Sequence, residues 1–512
     1  MTEGERNQRL ALARAIEEYR GGRMRRRDFL RLSAATGFGL TAFNACRCDR
    51  TPTAPTGPAA RGEGPLSAME PRNEQHRFLK EAGKRFKGTR LSIVGEATPP
   101  AQATLQLLQQ EFVPLTGIEV QWDQQPLDRV LAMVSTDTAL QRGAYDIYYL
   151  DGSWLGHFVK DTANIQELLQ RSDLAYPDYD FGDILEPLVK YTASYQGWLM
   201  GIPFDIPIHI MLYRRDIFEK MRLPLPRTMA EYMEVAKIID SKSAPRLHGT
   251  TGMWKSGHYS LLIDFSTYLW VHGGSFYGRE GKSAVNDAHA LAAAEYMLEL
   301  GHYMPPEVTT WDWYGEVQSF AQGQSALLIH AGEWVALFDD PAHSKVVGLV
   351  EAAPCPREFS LRPQEECSFD EKPGSSRQGG SCLAISRYSK NIDAAWVFLQ
   401  WATSADVTTR ASTLGGGGSP IRRSNYSDPR ILERKKVMPG STRCFDVTLD
   451  AILHRMGSEP HMETWTSIVP ELTVELGKMT TGQQSAQVTL DKMALIMAVF
   501  EERRQRPKQF QE

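Results

Sequence analysis

The sequence predicts an α/β protein built as two lobes, and two observations carry that expectation. Short β-like runs alternate with helical patterns along residues 90–151, the signature of βαβ units on a mostly parallel sheet. The chain is also long, at 512 residues, of which about 450 remain once an N-terminal segment is set aside, more than one hydrophobic core ordinarily supports.

The elements follow in order. Arg90-Leu91-Ser92-Ile93-Val94 reads as a first strand, and Ala101 to Phe112 has apolar residues at helical spacing before Gly117. Ile118 to Trp122 reads as a second strand, Leu127 to Leu140 as a helix, and Tyr145 to Leu150 as a third strand ending at Asp151-Gly152. In open parallel sheets ligands sit beyond the carboxyl ends of the strands. That location holds Glu96 after the first strand, and Asp151, Ser153 and Trp154 after the third.

Before the first strand the chain reads as an address and a tether. Arg26-Arg27-Asp28-Phe29-Leu30 is a twin arginine with an apolar pair, followed by the uncharged stretch Ser33 to Ala45. Thirteen residues are too few for a membrane span, which needs about 20, so residues 1–46 read as an export signal. The segment resembles a Tat signal, with Arg25 where that motif usually has Ser or Thr. Phe43-Asn44-Ala45-Cys46 resembles a lipoprotein cleavage box with an aromatic in place of Leu. Either Cys46 is lipidated and anchors the chain, or Ala45 is the small residue before an ordinary cut. Residues 47–87 form a tether and lead-in, rich in Pro, Gly, Thr and Ala from Thr51 to Gly64.

Beyond residue 46 there are 48 basic and 57 acidic residues, a net charge of minus nine, which argues against nucleic acid as a partner. Cys355, Cys367, Cys382 and Cys444 allow three pairings in an oxidising compartment; a bridge from Cys355 to Cys367 or Cys382 is favoured because it closes the Pro- and Glu-rich loop between them. No CxxC or Cys/His cluster stands at metal spacing, so neither a metal nor another cofactor is expected.

Several segments then match a known family in order. Glu111 to Val120, EFVPLTGIEV, and Gly143 to Asp151, GAYDIYYLD, match a helix end with its following strand and a third strand. Gly197 to Leu223 has a Gly-x-Pro crossing, an apolar strand reaching Tyr213-Arg214 and a helix start at Asp216. Thr228 with Glu231 makes a capping box. Phe320 to Leu327 leads to Gly332-Glu333-Trp334, Gly379-Gly380-Ser381 precedes Leu383-Ala384-Ile385, and Ser389-Lys390-Asn391 opens a helix Ile392 to Ala402. From about Gly88 to near the C-terminus the chain resembles extracellular solute-binding family 1, the maltose-binding-like proteins of ABC importers. The resemblance implies a type II bilobal periplasmic-binding fold, whose two α/β lobes close on ligand by hinge motion. On this resemblance the first lobe takes residues 88–206 and 333–380, the second 207–332 and 381–512. It implies a carbohydrate ligand, ABC permease subunits as membrane partners, a monomer, and a place in the periplasm or at the outer face of the membrane.

Carbohydrate sites combine polar groups with aromatic platforms. Candidate platforms are Trp154, Trp254, Tyr259, Trp313 and Trp465, together with Trp334, at a lobe crossing where the matched family position stacks on sugar. Candidate polar and close-approach residues are Glu96, Asp151, Ser153, Asp205, Gly380, Ser381, and Gly416 in the loop LGGGGSP. That loop lacks the Lys-Ser/Thr pair of a phosphate loop. Trp270, Trp396 and Trp401 fall at apolar helical spacing and read as core.

Competing readings are weaker. A glycoside hydrolase would need paired carboxylates, for which Glu96 with Asp151 is the sole suggestion, and no Gly-x-Ser-x-Gly elbow or HExxH is present. A polyamine receptor would use acids around aromatic rings. Ferric ligation by Tyr148 and Tyr149 is defeated by strand alternation, which points the rings to opposite faces.

Overall fold

The structure, a computed structural model, describes residues 70–357, 361–414 and 418–505. The twin arginine Arg26–Arg27, Cys46, the tether Thr51–Gly64 and Gly416 lie outside the described residues.

Six strands precede the first crossing between lobes: β1 (Arg90–Glu96), β2 (Glu119–Gln125), β3 (Ile147–Asp151), the short hairpin β4 (Ser194–Tyr195) and β5 (Trp198–Leu199), and β6 (Gly201–Asp205). Six follow: β7 (His209–Arg214), β8 (Leu327–Ala331), β9 (Val350–Ala353), β10 (Ser376–Arg377), β11 (Ser381–Ile385) and β12 (Met456–Gly457). The first lobe is organised on a five-stranded sheet of order β2-β1-β3-β11-β6. Its β1 runs parallel to β2 and β3, whereas β11 is antiparallel to β3 and β6. The second lobe has a three-stranded antiparallel sheet, β8-β7-β9. Between them β10 and β12 pair in parallel.

These pairings correct the expected division of the chain. Ser381–Ile385 was expected in the second lobe, yet β11 is hydrogen-bonded between β3 and β6, where Leu383, Ala384 and Ile385 are fully buried. Val350–Ala353 was expected in the first lobe, yet β9 pairs with β7. The chain therefore stays with the second sheet through Ala353 and joins the first sheet at Ser381. A Gly-rich crossing and a Gly-rich turn look alike in sequence, and only long-range register separates them.

Local chemistry explains the elements that frame the cleft. Thr98 caps the helix Pro99–Leu107 by accepting from the Ala101 amide, with proline in the first turn where its missing N–H costs nothing. Gly117 ends the helical run at φ 65°, a left-handed value suited to glycine. The helix Leu127–Leu140 spans the residues expected. Met229–Ser243 carries the capping box of Thr228 and Glu231. The helix Ile392–Ala402 is buried along nearly its whole length, and Trp396 and Trp401 are core residues as expected. Trp401 also donates to Glu111 Oε1 at 2.8 Å, and Arg410 reaches the same oxygen at 3.0 Å, so this buried carboxylate is satisfied. Trp270 is fully buried in the helix Tyr259–Val271, the N-terminal residue of which enters the cleft.

The four cysteines are free thiols, which corrects the favoured bridge from Cys355. Cys382 lies within β11 of the first sheet, Cys355 follows β9 of the second with its Sγ 3.5 Å from the His209 carbonyl, and Cys367 turns to the Pro363 carbonyl. Among the described residues no helix is long and apolar enough to cross a membrane.

Candidate functional site

The strands end around one cavity, whose empty space together with its open mouth is about 610 Å³. Glu96 closes β1, Asp151 closes β3 and Asp205 closes β6, so three carboxyl groups converge from the first sheet. The second lobe contributes Glu333, Trp334, Trp313, Tyr314 and Tyr259, with His209 from the start of β7 and His330 from β8. Arg377, in β10, completes the polar lining.

Hydrogen bonds tie the carboxyl groups together through Tyr149. Its hydroxyl donates to Asp205 Oδ2 at 3.1 Å and lies 3.4 Å from Glu96 Oε2. Tyr148, next in the strand, instead reaches Asp137 at 2.7 Å and receives the Ser386 hydroxyl at 2.8 Å. The two rings thus occupy opposite faces of β3, as strand alternation requires. Asp151 Oδ1 accepts from Ser153 twice, from the amide at 2.8 Å and the hydroxyl at 2.6 Å.

Burial sets the protonation of this cluster. Glu96 is pushed well above the usual carboxylate range by burial and then by the charges of Asp205 and Asp151. Burial and the charge of Asp205 do the same to Glu333. Asp151 is pushed up by burial to about 6, with Arg377 and Ser153 opposing the rise. Burial also keeps the imidazoles neutral: His209 is held well below its ordinary value and His330 down to about 3.

Arg377 already has its counter-ion. Its guanidinium donates to Glu459 Oε1 at 2.8 Å and to the Tyr259 hydroxyl, and lies 5.2 Å from the centre of the Tyr259 ring. Glu459 Oε2 receives the Tyr259 hydroxyl at 3.0 Å and Trp465 Nε1 at 2.9 Å. In contrast, Asp205 Oδ1 and Glu333 Oε2 are buried without a hydrogen bond of good geometry, although the Thr98 side chain stands close enough to Asp205, and the Ser419 backbone to Glu333, to favour the charged forms. Both oxygens lie near Gly418, where a Cβ would be 2.6 Å from Pro100 Cγ, 3.1 Å from Glu333 Oε2 and 3.6 Å from Asp205 Oδ1. Glycine there permits the close approach of the backbone to these two acceptors.

The rings form a wall. Trp334 meets Tyr314 edge to face with centroids 5.8 Å apart, Tyr314 meets Trp313 at 6.3 Å, and Trp313 leans on His258 at 4.5 Å. The Tyr314 hydroxyl donates to the Ala97 carbonyl at 3.1 Å, joining the second lobe to the residue after β1.

Of the residues singled out in sequence, Glu96, Asp151, Asp205, Tyr259, Trp313 and Trp334 line the cavity. Others stand behind it. Ser153 orients Asp151, and Trp465 is fully buried behind Glu459. Trp154 is buried and lies edge-on to Phe158, and Trp254 fills the space a Gly301 side chain would need. Gly380 accepts from the Gly152 amide at 2.9 Å, and Ser381 is paired across β11 with Asp151 and Asp205. Sequence reasoning passed over Tyr149, His209, His330, Glu333 and Arg377; Glu333 adjoins Trp334 in the segment already singled out, the one signal that pointed to it.

A cavity between two α/β lobes, with carboxyl groups on the strand ends of one side and rings on the other, defines a bilobal solute receptor. The chain belongs to the family of bacterial extracellular solute-binding proteins, whose model matches residues 97–409. It is 22% identical over 366 residues to an erythritol/L-threitol-binding protein of Mycolicibacterium smegmatis, covering 67% of this chain and 72% of that one. It is 21% identical over 367 residues to a "probable amino-acid ABC transporter periplasmic-binding protein" of Sinorhizobium fredii, covering 70% of this chain and 78% of that one. Among solved structures, an ABC transporter solute-binding protein of Agrobacterium radiobacter in complex with ribitol superposes with a TM-score of 0.72 at 23% identity, covering 81% of this chain and 99% of the other.

Proposed function

We propose that this protein is the substrate-binding component of an ABC importer that captures a carbohydrate, in the sense of a sugar or sugar alcohol, outside the cytoplasmic membrane. The observation that carries this reading is the two-sided lining: Glu96, Asp151 and Asp205 offer acceptors for hydroxyl groups, and Trp334, Tyr314 and Trp313 offer faces for C–H surfaces. The ligands named for the Mycolicibacterium and Agrobacterium relatives, erythritol or threitol and ribitol, are polyols and agree with it.

The chain acts without covalent chemistry. Ligand binds between the lobes, the closed form gains population because it makes more contacts with ligand than the open form does, and the permease receives the closed complex. Glu96, Asp151, Asp205, Tyr259, Trp313 and Trp334 touch ligand, joined by Tyr149, Glu333 and Arg377. Ser153, Trp154, Trp254, Gly380, Ser381 and Trp465 position these groups from behind. Export runs through the Arg26–Arg27 signal, a lipid on Cys46 tethers the mature chain at the outer face of the cytoplasmic membrane near its permease, and the receptor works as a monomer.

A thermal-shift screen against sugars, sugar alcohols, amino acids, polyamines and ferric chelates tests the reading. Ligand at 100 times its dissociation constant stabilises the fold by about 2.7 kcal/mol. A shift with one saccharide or polyol class and no product formed supports capture. Turnover of a glycoside, or a shift with amino acids alone, overturns it.

A further inference from the structure

We propose that the ligand of this cleft carries a basic nitrogen beside its hydroxyl groups, as an amino sugar or amino polyol does, and that its ammonium sits against Asp205, Glu333 and Glu96. The inference rests on the carbohydrate reading and narrows it.

Three features of the site point to a cation. Glu96, Asp205 and Glu333 line the cavity at 8%, 2% and 7% exposure, and among the described residues no lysine or arginine pairs with any of them. Arg377, the one basic side chain in the lining apart from the imidazoles, is held by Glu459 and Tyr259. Asp205 Oδ1 and Glu333 Oε2, on two side chains that line the cavity, are buried without a hydrogen bond of good geometry. A buried acceptor without a donor is costly, and a buried carboxylate without a counter-ion more so.

Other groups around the cluster do not balance it. His209 and His330 face the same cavity but are neutral through burial. Tyr149 has one hydroxyl proton for two carboxyl groups. A neutral polyol supplies donors but no charge, so in its complex the acids keep the protonated forms that burial favours. An ammonium supplies up to three donors and the charge together, and the Trp334 and Tyr314 rings on the other side of the cavity suit a cation as well as a sugar face.

Such a ligand makes binding proton-linked. Burial favours the protonated forms of Glu96 and Glu333; a cation beside them favours the carboxylates and draws protons off, so affinity for the amine should rise with pH.

The experiment is isothermal calorimetry of the full-length chain with two matched pairs, glucosamine against glucose and N-methylglucamine against glucitol, in buffers of different ionisation enthalpy. The amine member of at least one pair should bind about tenfold more tightly than its hydroxyl counterpart, a difference of about 1.4 kcal/mol, and with net proton release. Glu333→Gln and Glu96→Gln, checked for folding by circular dichroism, should each weaken the amine member more than its hydroxyl counterpart and so shrink that preference. A hydroxyl member that binds as tightly as its amine overturns the inference and leaves carbohydrate capture standing. A chain that answers to neither pair, whether or not spermidine binds, overturns both.

Discussion

Trp465 donates its indole N–H to Glu459 Oε2 at 2.9 Å, and the other oxygen of that carboxylate holds Arg377 at 2.8 Å on the cleft wall. The tryptophan that sequence offered as a sugar platform is thus a fully buried support one layer behind the cleft wall. Trp465→Phe keeps the ring and removes the donor, leaving a buried carboxylate oxygen with Tyr259 alone. A loss of about 1–3 kcal/mol in folding free energy is expected, read from the urea midpoint. Unchanged stability with lost ligand affinity would return Trp465 to the ligand.

Trp334 does line the cavity, half-buried and edge-on to Tyr314. Trp334→Ala should weaken polyol or sugar binding by about 1 kcal/mol or more, the scale of a lost aromatic contact, with the fold intact by circular dichroism. Calorimetric affinity equal to that of the parent removes Trp334 from the site.

How far the site was legible depends on what each residue's role requires. Glu96, Asp151 and Asp205 were found because strand ends are visible in the hydrophobic pattern, and a polar residue at such an end is a local signal. Tyr149 was dismissed with Tyr148 as half of a ferric pair; alternation correctly separated the two rings, but which one faced the cleft depended on the partner strands. Arg377 and Glu459 are 82 residues apart and meet only because β10 pairs with β12. The same limit misplaced β9 and β11, since a strand's local pattern does not name its sheet. Trp154 and Trp254 show the converse error, because a tryptophan after a strand or in a polar loop plugs core space as readily as it faces solvent.

Asp264, fully buried in the helix Tyr259–Val271, accepts from the Met253 amide at 2.9 Å, and burial pushes its carboxyl up to about 7. Its native pKa exceeds its unfolded value, so the folded state binds the extra proton and stability falls as pH rises from about 4 through 7. Asp264→Asn cannot ionise and can keep the amide bond. The variant should therefore gain on the parent by up to about 1.4 kcal/mol for each pH unit across that window. Urea denaturation of both proteins at a series of pH values gives the difference directly, and a flat difference contradicts the assignment.

Export through the twin arginine is tested in cells. Changing Arg26 and Arg27 to Lys keeps the charge but removes the paired guanidinium groups a receptor reads. Unprocessed protein should accumulate in the cytoplasm, seen by fractionation and immunoblot. Normal processing would assign the segment to the general secretory route, and labelling with a palmitate analogue would report independently on Cys46.

The Tyr314 hydroxyl bond to the Ala97 carbonyl, at 3.1 Å, runs from the rim of the second lobe to the residue after β1. Separation of the lobes is expected to break it, which makes it a contact of the closed form. A single hydrogen bond of this kind contributes about 0.5–1.5 kcal/mol net. Because apparent affinity falls with the population of the binding-competent state, Tyr314→Phe should weaken ligand binding by about two- to tenfold. The ring stays, so its edge contact with Trp334 and the cavity wall persist, and the loss is assigned to closure. Small-angle scattering of the ligand-free variant should show a larger radius of gyration than that of the parent wherever the parent is partly closed, and the two should coincide at saturating ligand. Unchanged affinity would mean that Tyr314 keeps this bond with the cleft open, and closure would then rest on the ligand's own contacts.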